Sequence, residues 1–434
     1  MIIEKLRETI FSKELLLKFR MGEQDFSRNR KQPFTSTLLL MLNFLRKSLT
    51  IEIDGFVNYL KKGLAHAKST SFTSSAFIQN RKKINPDVFK HLSGVIIDNF
   101  YTKENDGIKL WNGFRVLAVD GSRITLPNTN ELKRCFGTAK NQSQVEIVQA
   151  RASILYDVLN KIALDATLGN LEQGEHKLAL MHSCHWKKGD LIIYDRGYPS
   201  YNLIYEHISA KIDCLIRVKT SYGFSVISSF VASGKKTLVA ELSPAQNQSF
   251  NGKPYGKDST VRIRLVRVEL ASGEVEVLIT TLLDSRKYPN RMFGQLYFFR
   301  WGIETFYDEL KNKLKVEHFT GYSENTIRQD FQCAIFISNL QSVMVNDLQD
   351  DLTERDIGKK YSYKVNTNLS YGFLKNRILE LLQERQPLER VFLELQELFL
   401  KNTVPIRINR TYPRKVRQKG KIKPKITKNQ KDSI

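Results

Sequence analysis

The sequence predicts an α/β protein: a mixed five-stranded sheet with helices, interrupted by a β-rich insertion and flanked by helical N- and C-terminal regions. Three observations predict it. Two apolar runs end on an acid, FRVLAVD (114–120) and DLIIYD (190–195), with the length and enrichment of buried strands. Around them stand VEIVQARASILYDV (145–158) and KIALDATLG (161–169), the helical LEQGEHKLALMHSC, a helix over 200–209 and the strand KIDCLIRVK (211–219). The order is strand, strand, strand, helix, strand, helix, strand, which is the order of an RNase H-like sheet and not of a purely alternating doubly wound one. Third, helical periodicity with Ser/Thr starts fills the first 105 residues and returns after 289.

Taken in order, helices are predicted over 2–18, 35–47, 51–62, 73–82 and 86–101. The stretch TSSAFIQNRKKINPDVFKHL has a Ser/Thr cap, a basic helix, an Asn-Pro break and a second helix. It fits a helix-turn-helix and a plain helical hairpin equally well. After the core strands, VRIRLVRVEL and EVEVLITTLL alternate between Gly, Ser, Asn and Pro clusters, which predicts a β-rich insertion over 220–288. One long helix is predicted from 291 to 314, then others over 324–348, 370–384 and 388–401. From 406 the chain is nearly all basic and polar, without apolar period, and is expected to be disordered.

The charge narrows the partner. With 68 Lys and Arg against 45 Asp and Glu, the chain carries a formal +23, which points to a polyanion, nucleic acid first. The longest apolar stretch, Leu38–Leu45, is less than half of the roughly 20 residues that span a bilayer, so no membrane partner is expected. The first residues, MIIEKLRETIFSKELL, mix acids and bases on an amphipathic helix and suit neither a secretory signal nor a presequence, so the expected location is cytoplasmic. Four scattered cysteines without a CxxC pair suggest reduced thiols. His176, His182, Cys184 and His185 form the densest His/Cys cluster, yet the segment reads as a helix end with no partner ligand pair elsewhere.

Asp120 and Asp195 each end an apolar run and each is followed within two residues by glycine. Paired carboxylates at the ends of neighbouring strands are what metal-dependent phosphodiester chemistry requires, since divalent cations take oxygen ligands and two cations need several of them. The helix GQLYFFRWGIETFYDELKNKLK supplies a third. Tyr297, Arg300, Glu304 and Lys311 follow the pattern Y-x2-R-x3-E-x6-K, and at about 100° per residue they share one narrow stripe, apart from the apolar side of the helix. Asp308, one turn beyond Glu304, lies near the same stripe and is a rival for third ligand.

The Y-x2-R-x3-E-x6-K helix, together with VDGS and YDRGY upstream, resembles the DDE transposases of the insertion-sequence-four group over roughly residues 110–345. The resemblance implies that Asp120, Asp195 and Glu304 are the catalytic, metal-holding acids, favouring Glu304 over Asp308, with two Mg2+ ions that Mn2+ can replace. It implies that Tyr297, Arg300 and Lys311 hold phosphates near the cleavage site. Arg151, Arg196 and Lys140, near the acids, are candidate phosphate contacts, with ordinary surface charge as the equal alternative for each. Some members stack a flipped base on a tryptophan in the insertion; this chain has none between Trp186 and Trp301, leaving Tyr288, Phe293 or Phe298 as stand-ins.

The implied activity is that of a bacterial insertion-sequence transposase that binds terminal inverted repeats, cuts one strand and joins the freed 3′-hydroxyl to target DNA. A homodimer is expected to handle two ends of double-stranded DNA together. The alternatives are a structure-selective nuclease of the same fold and a catalytically silent DNA-binding relic. The expected organisation is a helical N-terminal DNA-binding region (1–105), a first core part (110–219), the insertion (220–288), a second core part with the glutamate helix (289–345), a helical C-terminal region (346–405) and the basic tail (406–434).

Overall fold

The computed structural model describes residues 2–28, 31–43, 45, 47–62, 71–140, 144–220, 224–245, 249–270, 273–383 and 387–407. Most of the basic tail therefore lies outside the described residues. The chain forms two compact units: 1–107 with 124–150 and 309–434, and 108–123 with 151–308.

In chain order, helices α1 (Ile2–Phe11) and α2 (Lys13–Phe19) replace the single helix predicted over 2–18. Ser12 divides them, because its hydroxyl accepts the Leu15 N–H and caps α2. Helices α3 (Phe34–Leu42), α4 (Leu49–Lys62), α5 (Ser74–Arg81) and α6 (Asp87–Phe100) follow close to their predicted places. Then come β1 (Arg115–Thr125), α7 (Asn130–Phe136), β2 (Thr138–Lys140), β3 (Glu146–Asp157), β4 (Ile162–Gly169), α8 (Glu175–Met181), β5 (Asp190–Tyr194), α9 (Tyr201–Ala210) and β6 (Asp213–Val218). The insertion holds a helix, α10 (Ser225–Ala232), before its strands β7 (Thr237–Leu242), β8 (Val261–Glu269) and β9 (Val275–Thr280). After α11 (Arg291–Phe298), α12 (Trp301–Asp308) and a π-helical turn (Glu309–Lys313) come α13 (Glu324–Asn346), α14 (Gln349–Arg355), β10 (Tyr363–Val365), α15 (Thr367–Leu382), α16 (Leu388–Lys401) and β11 (Thr403–Pro405).

The first unit is mainly helical. Its centre is α13, whose residues from Phe331 to Met344 are all buried, packed with α6, α3 and α15. Arg81, which the sequence presents as part of a basic surface run, is fully buried at the end of α5. It pairs with Asp330 at 2.7 Å and donates to Gln329 Oε1 at 2.9 Å, Thr320 Oγ1 at 2.5 Å and the Thr326 carbonyl at 3.3 Å. Among the described residues no helix is long and apolar enough to cross a membrane.

The second unit is built on one mixed sheet, ordered β4-β3-β1-β5-β6-β9-β8-β7; β2 pairs with the first residues of β3 and belongs with them to the first unit. Strands β1, β5 and β6 run parallel, the remaining recorded pairs antiparallel. The sheet is thus larger than the five strands predicted. The strands of the insertion extend it, because β9 pairs with the edge of β6 (Leu215↔Thr280 to Val218↔Val277) and covers backbone groups that an edge strand would leave open. Its core face carries Val116, Leu191, Ile193, Leu215, Val266 and Leu278, against which Phe293, Leu296 and Tyr297 of α11 pack.

Candidate active site

The sheet register brings the site's first two acids level. Ala118 of β1 pairs with Ile193 of β5, so two residues further Asp120 stands beside Asp195. Tyr194 pairs with Ile216 of β6, which places Asp195 beside Arg217. Alternate residues of a strand share a face, so Asp120, Asp195 and Arg217 continue the face begun by Val116, Ile193 and Leu215, the one on which α11 lies. Asp120 does not end its strand, as the apolar run suggested. Strand β1 continues to Thr125 because RITL keeps the buried alternation through Ile124 and Leu126, and Asp120 lies just past the point where its pairing with β5 stops.

Each aspartate is fixed by a backbone N–H just behind it: Asp120 Oδ1 accepts the Gly121 N–H at 2.8 Å, and Asp195 Oδ1 accepts the Gly197 N–H at 2.7 Å. Glycine at 197 leaves this carboxylate its place, since a Cβ there would lie 3.0 Å from Asp195 Oδ1 and press on it. Burial pushes the Asp120 carboxyl up to about 6; the Gly121 N–H pulls it back, Asp195 raises it, Arg300 lowers it and Glu304 raises it. The charges of Asp195, Arg300 and Glu304 therefore all bear on Asp120.

Arg300 is the counter-ion of this group. It is 7% exposed, donates to Glu304 Oε1 at 2.5 Å and lies 3.8 Å from Asp120 Oδ2, while its buried Nε has no hydrogen-bond partner. The predicted helix over 291–314 is broken here. Phe299, Arg300, Gly302 and Ile303 each donate to the carbonyl three residues back, an overwound turn between α11 and α12, and Gly302 presses on Val158, where a Cβ would lie 3.2 Å from Val158 Cβ. Beyond Asp308 the winding loosens, with Leu314 N–H donating to Glu309 five residues back. The stripe drawn for a uniform helix is thus overwound at Arg300 and unwound before Lys311. Lys311 itself falls in the first unit.

Tyr297 is buried, and burial pushes its hydroxyl up to about 12 against the pull of Arg300 and Arg217, so it stays a neutral donor. Arg196 is exposed on the turn after Asp195, and Asp308 is exposed on α12. Arg151 pairs with Glu175 at 3.3 Å. Lys140 lies in the first unit. Of the three aromatic stand-ins, Tyr288 and Phe293 are in the core and Phe298 is 65% exposed.

Sequence reading missed four residues of this neighbourhood. Glu175, at the start of α8, runs over Gly121, where an added Cβ would sit 3.4 Å from Glu175 Cγ. Tyr307 donates to the Asp120 carbonyl at 2.9 Å. Tyr198 is buried, and burial together with the charges of Asp120, Glu175 and Asp195 raises its hydroxyl well above the ordinary range. Arg217 is held by Glu276 at 2.9 Å and Glu274 at 3.6 Å. Only Arg217 left a trace in the sequence: a cation at an inward phase of LIRV.

The donors suit a hard divalent cation, being carboxylate oxygens, and the charges of Asp195 and Glu304 raise the proton affinity of Asp120. Among the described residues, however, no three His, Cys, Asp or Glu side chains are gathered closely enough to hold a metal ion, and Arg300 instead neutralises Glu304 and Asp120. Two members of the His/Cys cluster make hydrogen bonds within this unit: His182 is buried between Asp165 (2.7 Å) and Ser153 (2.9 Å), and His176 meets the Gly197 carbonyl.

A stability prediction follows from Asp120. Its carboxyl binds a proton more tightly in the folded chain than in the unfolded one, so the cation-free chain should lose stability as pH rises from about 4 to about 6. Asp120→Asn removes that loss. Above pH 6 the variant should exceed the parent by on the order of 2 kcal/mol, a raise of roughly two pH units at 1.36 kcal/mol each, discounted for the carboxyl's 20% exposure. Thermal melts in EDTA from pH 4 to 8 check this; parallel curves for parent and variant would contradict it.

The transposase DDE domain family matches residues 111–340. Among curated proteins, the chain is 22% identical over 317 residues to the transposase InsG for insertion sequence element IS4 of Escherichia coli, an alignment covering 71% of this chain and 69% of that protein. Among solved structures it is similar to the piggyBac transposase synaptic complex with hairpin DNA, with a TM-score of 0.43 and 9% identity over 92% of this chain and 81% of that one.

Proposed function

Because the chain belongs to the transposase DDE domain family, we propose that it is the transposase of a bacterial insertion sequence of the insertion-sequence-four type, which cuts the ends of its element and joins them to target DNA. The observation that carries this reading is the convergence on Asp120: Asp195 level with it across the sheet, and Glu304 and Arg300 reaching it from the helix. An RNase H-like core and the six-part organisation set out above belong to the same proposal.

Asp120, Asp195 and Glu304 would hold the divalent cations, two Mg2+ ions or Mn2+ in their place. Bound there, the cations supply Lewis-acid stabilisation of the charge that develops on phosphate oxygens and lower the proton affinity of the attacking oxygen. The chain's own residues do the rest. Asp120 must give up its proton before it can serve as an oxygen ligand, which its ordinary titration near pH 6 allows at neutral pH. Tyr297, neutral and buried, donates a hydrogen bond to a phosphate oxygen and holds the scissile group in line. Arg300 leaves Glu304 and Asp120 and pairs with phosphate instead, while Arg151, Arg196 and Lys311 contact the backbone further along the strand. Cleavage and joining are both in-line displacements at phosphorus. One pocket serves both when the freed 3′-hydroxyl stays bound and a second phosphodiester enters. Homodimeric handling of two DNA ends, and a cytoplasmic location, complete the proposal.

The test supplies pre-cut terminal repeats, Mg2+ and a supercoiled plasmid, and scores covalent end-to-target products. Efficient cutting of the ends without any joined product would replace the transposase with a nuclease. Arg300→Ala should lower joining roughly ten- to a hundredfold, the loss of a charged hydrogen bond. In the DNA-free chain it should also tighten Mn2+ binding in calorimetry, because the guanidinium no longer competes for two carboxylates. Weaker Mn2+ binding in that variant would show that Arg300 supports the acids and does not compete for them.

A further inference from the structure

Two carboxylates standing side by side repel each other, and their spacing decides what fits between them, so something must hold the backbone that carries them. Helix α8 lies against both segments. At its first residue Glu175 lies over Gly121, directly behind Asp120, and its Oε1 is 3.3 Å from Arg151 of β3. At its second residue, His176 Nε2 is 3.0 Å from the carbonyl of Gly197, and its ring packs on Tyr198 at 5.7 Å. A carbonyl only accepts, so this contact requires the proton on Nε2. Gly197 is the residue whose N–H fixes the Asp195 carboxylate.

The far end of the same element is anchored. Leu178 packs so closely on Gly169 at the end of β4 that a Cβ there would lie 2.9 Å from Leu178 Cδ2. Just after α8, the fully buried His182 joins Asp165 of β4 to Ser153 of β3. The order Ser-His-Asp is that of a hydrolase triad, but Ser153 is 1% exposed and no substrate reaches it. The three side chains lock the base of α8 to the two strands.

We infer that α8 is a brace that sets the separation of Asp120 on β1 from the Asp195 turn, with Glu175 and His176 as positioning residues. This rests on the proposed role of the two aspartates, and it adds residues that act on them only through Gly121 and Gly197. Neither Glu175 nor His176 touches the reacting groups.

The experiment uses the full chain with His176→Ala, His176→Gln, Glu175→Ala and Glu175→Gln. Hydrogen exchange in EDTA reads the β1 segment 120–123 and the turn at 195–198 directly. Calorimetry with Mn2+ and steady-state cutting of end DNA read the consequence. The Ala variants should exchange about tenfold faster, His176→Ala at 195–198 through its lost hydrogen bond and Glu175→Ala at 120–123 through its lost packing on Gly121, bind Mn2+ about tenfold more weakly and lose kcat by a similar factor at unchanged KM. His176→Gln keeps an N–H for the Gly197 carbonyl and should recover most of the loss at 195–198. Unchanged exchange at both segments in both Ala variants overturns the brace. So does a uniform rise in exchange over the whole second unit without rescue by His176→Gln, which marks a role in folding alone. Faster exchange at the two segments in a chain that neither binds Mn2+ nor cuts DNA would leave the brace standing and overturn the function proposed for the aspartates.

Discussion

Asp120→Asn, Asp195→Asn and Glu304→Gln should each lower end cleavage by roughly a thousandfold or more while leaving binding of end DNA intact. The shape of each side chain is kept and only its charge is lost, so the fold has no reason to change; for Asp120 it should gain stability. In the proposed role, what disappears is the oxygen set for the cations, whose charge stabilisation is worth several kcal/mol, and each 1.36 kcal/mol is tenfold in rate. Binding should hold or tighten slightly, because affinity for DNA rests on Lys and Arg contacts with phosphates, and each variant removes a negative charge from among them. Gel-shift titration and a cleavage assay on the same DNA separate the two quantities. A Glu304→Gln chain that still cuts while Asp308→Asn does not would move the third role to Asp308. Cutting that survives excess EDTA would remove divalent-cation chemistry altogether.

The second large effect concerns stability. Arg81→Ala should cost about 3 kcal/mol, because it removes a fully buried guanidinium and strands the Asp330 carboxylate inside the first unit. The value lies at the low end for a broken buried pair, since Asp330 keeps the Thr320 N–H and hydroxyl. Urea unfolding should show an earlier transition with an unchanged slope. A variant as stable as the parent would mean that water reaches Asp330 and that the Arg81 network is dispensable.

The strands that carry the aspartates were legible because apolar runs of five to seven residues depend on composition alone, and FRVLAVD and LIIYD meet that condition. The same holds for α13 and α16, whose periodicity is long. What escaped depends on tertiary partners. Arg81 reads as one of three basic residues in a row, and only Asp330, nearly 250 positions away, draws it inside. The helix break at Arg300 is invisible in a uniform 3.6-residue period, because it comes from Val158 pressing on Gly302 and from two acids pulling one guanidinium. Strand β9 reads as part of a separate β-rich piece, since nothing in EVEVLIT names β6 as its neighbour. Glu175 and His176 look like the ordinary start of a short helix. Their meaning lies in what passes beneath them.

The hydrogen bond from Tyr307 to the Asp120 carbonyl gives α12 a fulcrum. At 1.5 Å per residue, Glu304 sits about 4.5 Å from that pivot along α12. Arg300 lies beyond the first residue of α12, across the overwound turn from α11. A tilt of α12 about the pivot therefore swings the Glu304 carboxylate on a short arm, and the break at Arg300 keeps α11 out of that motion.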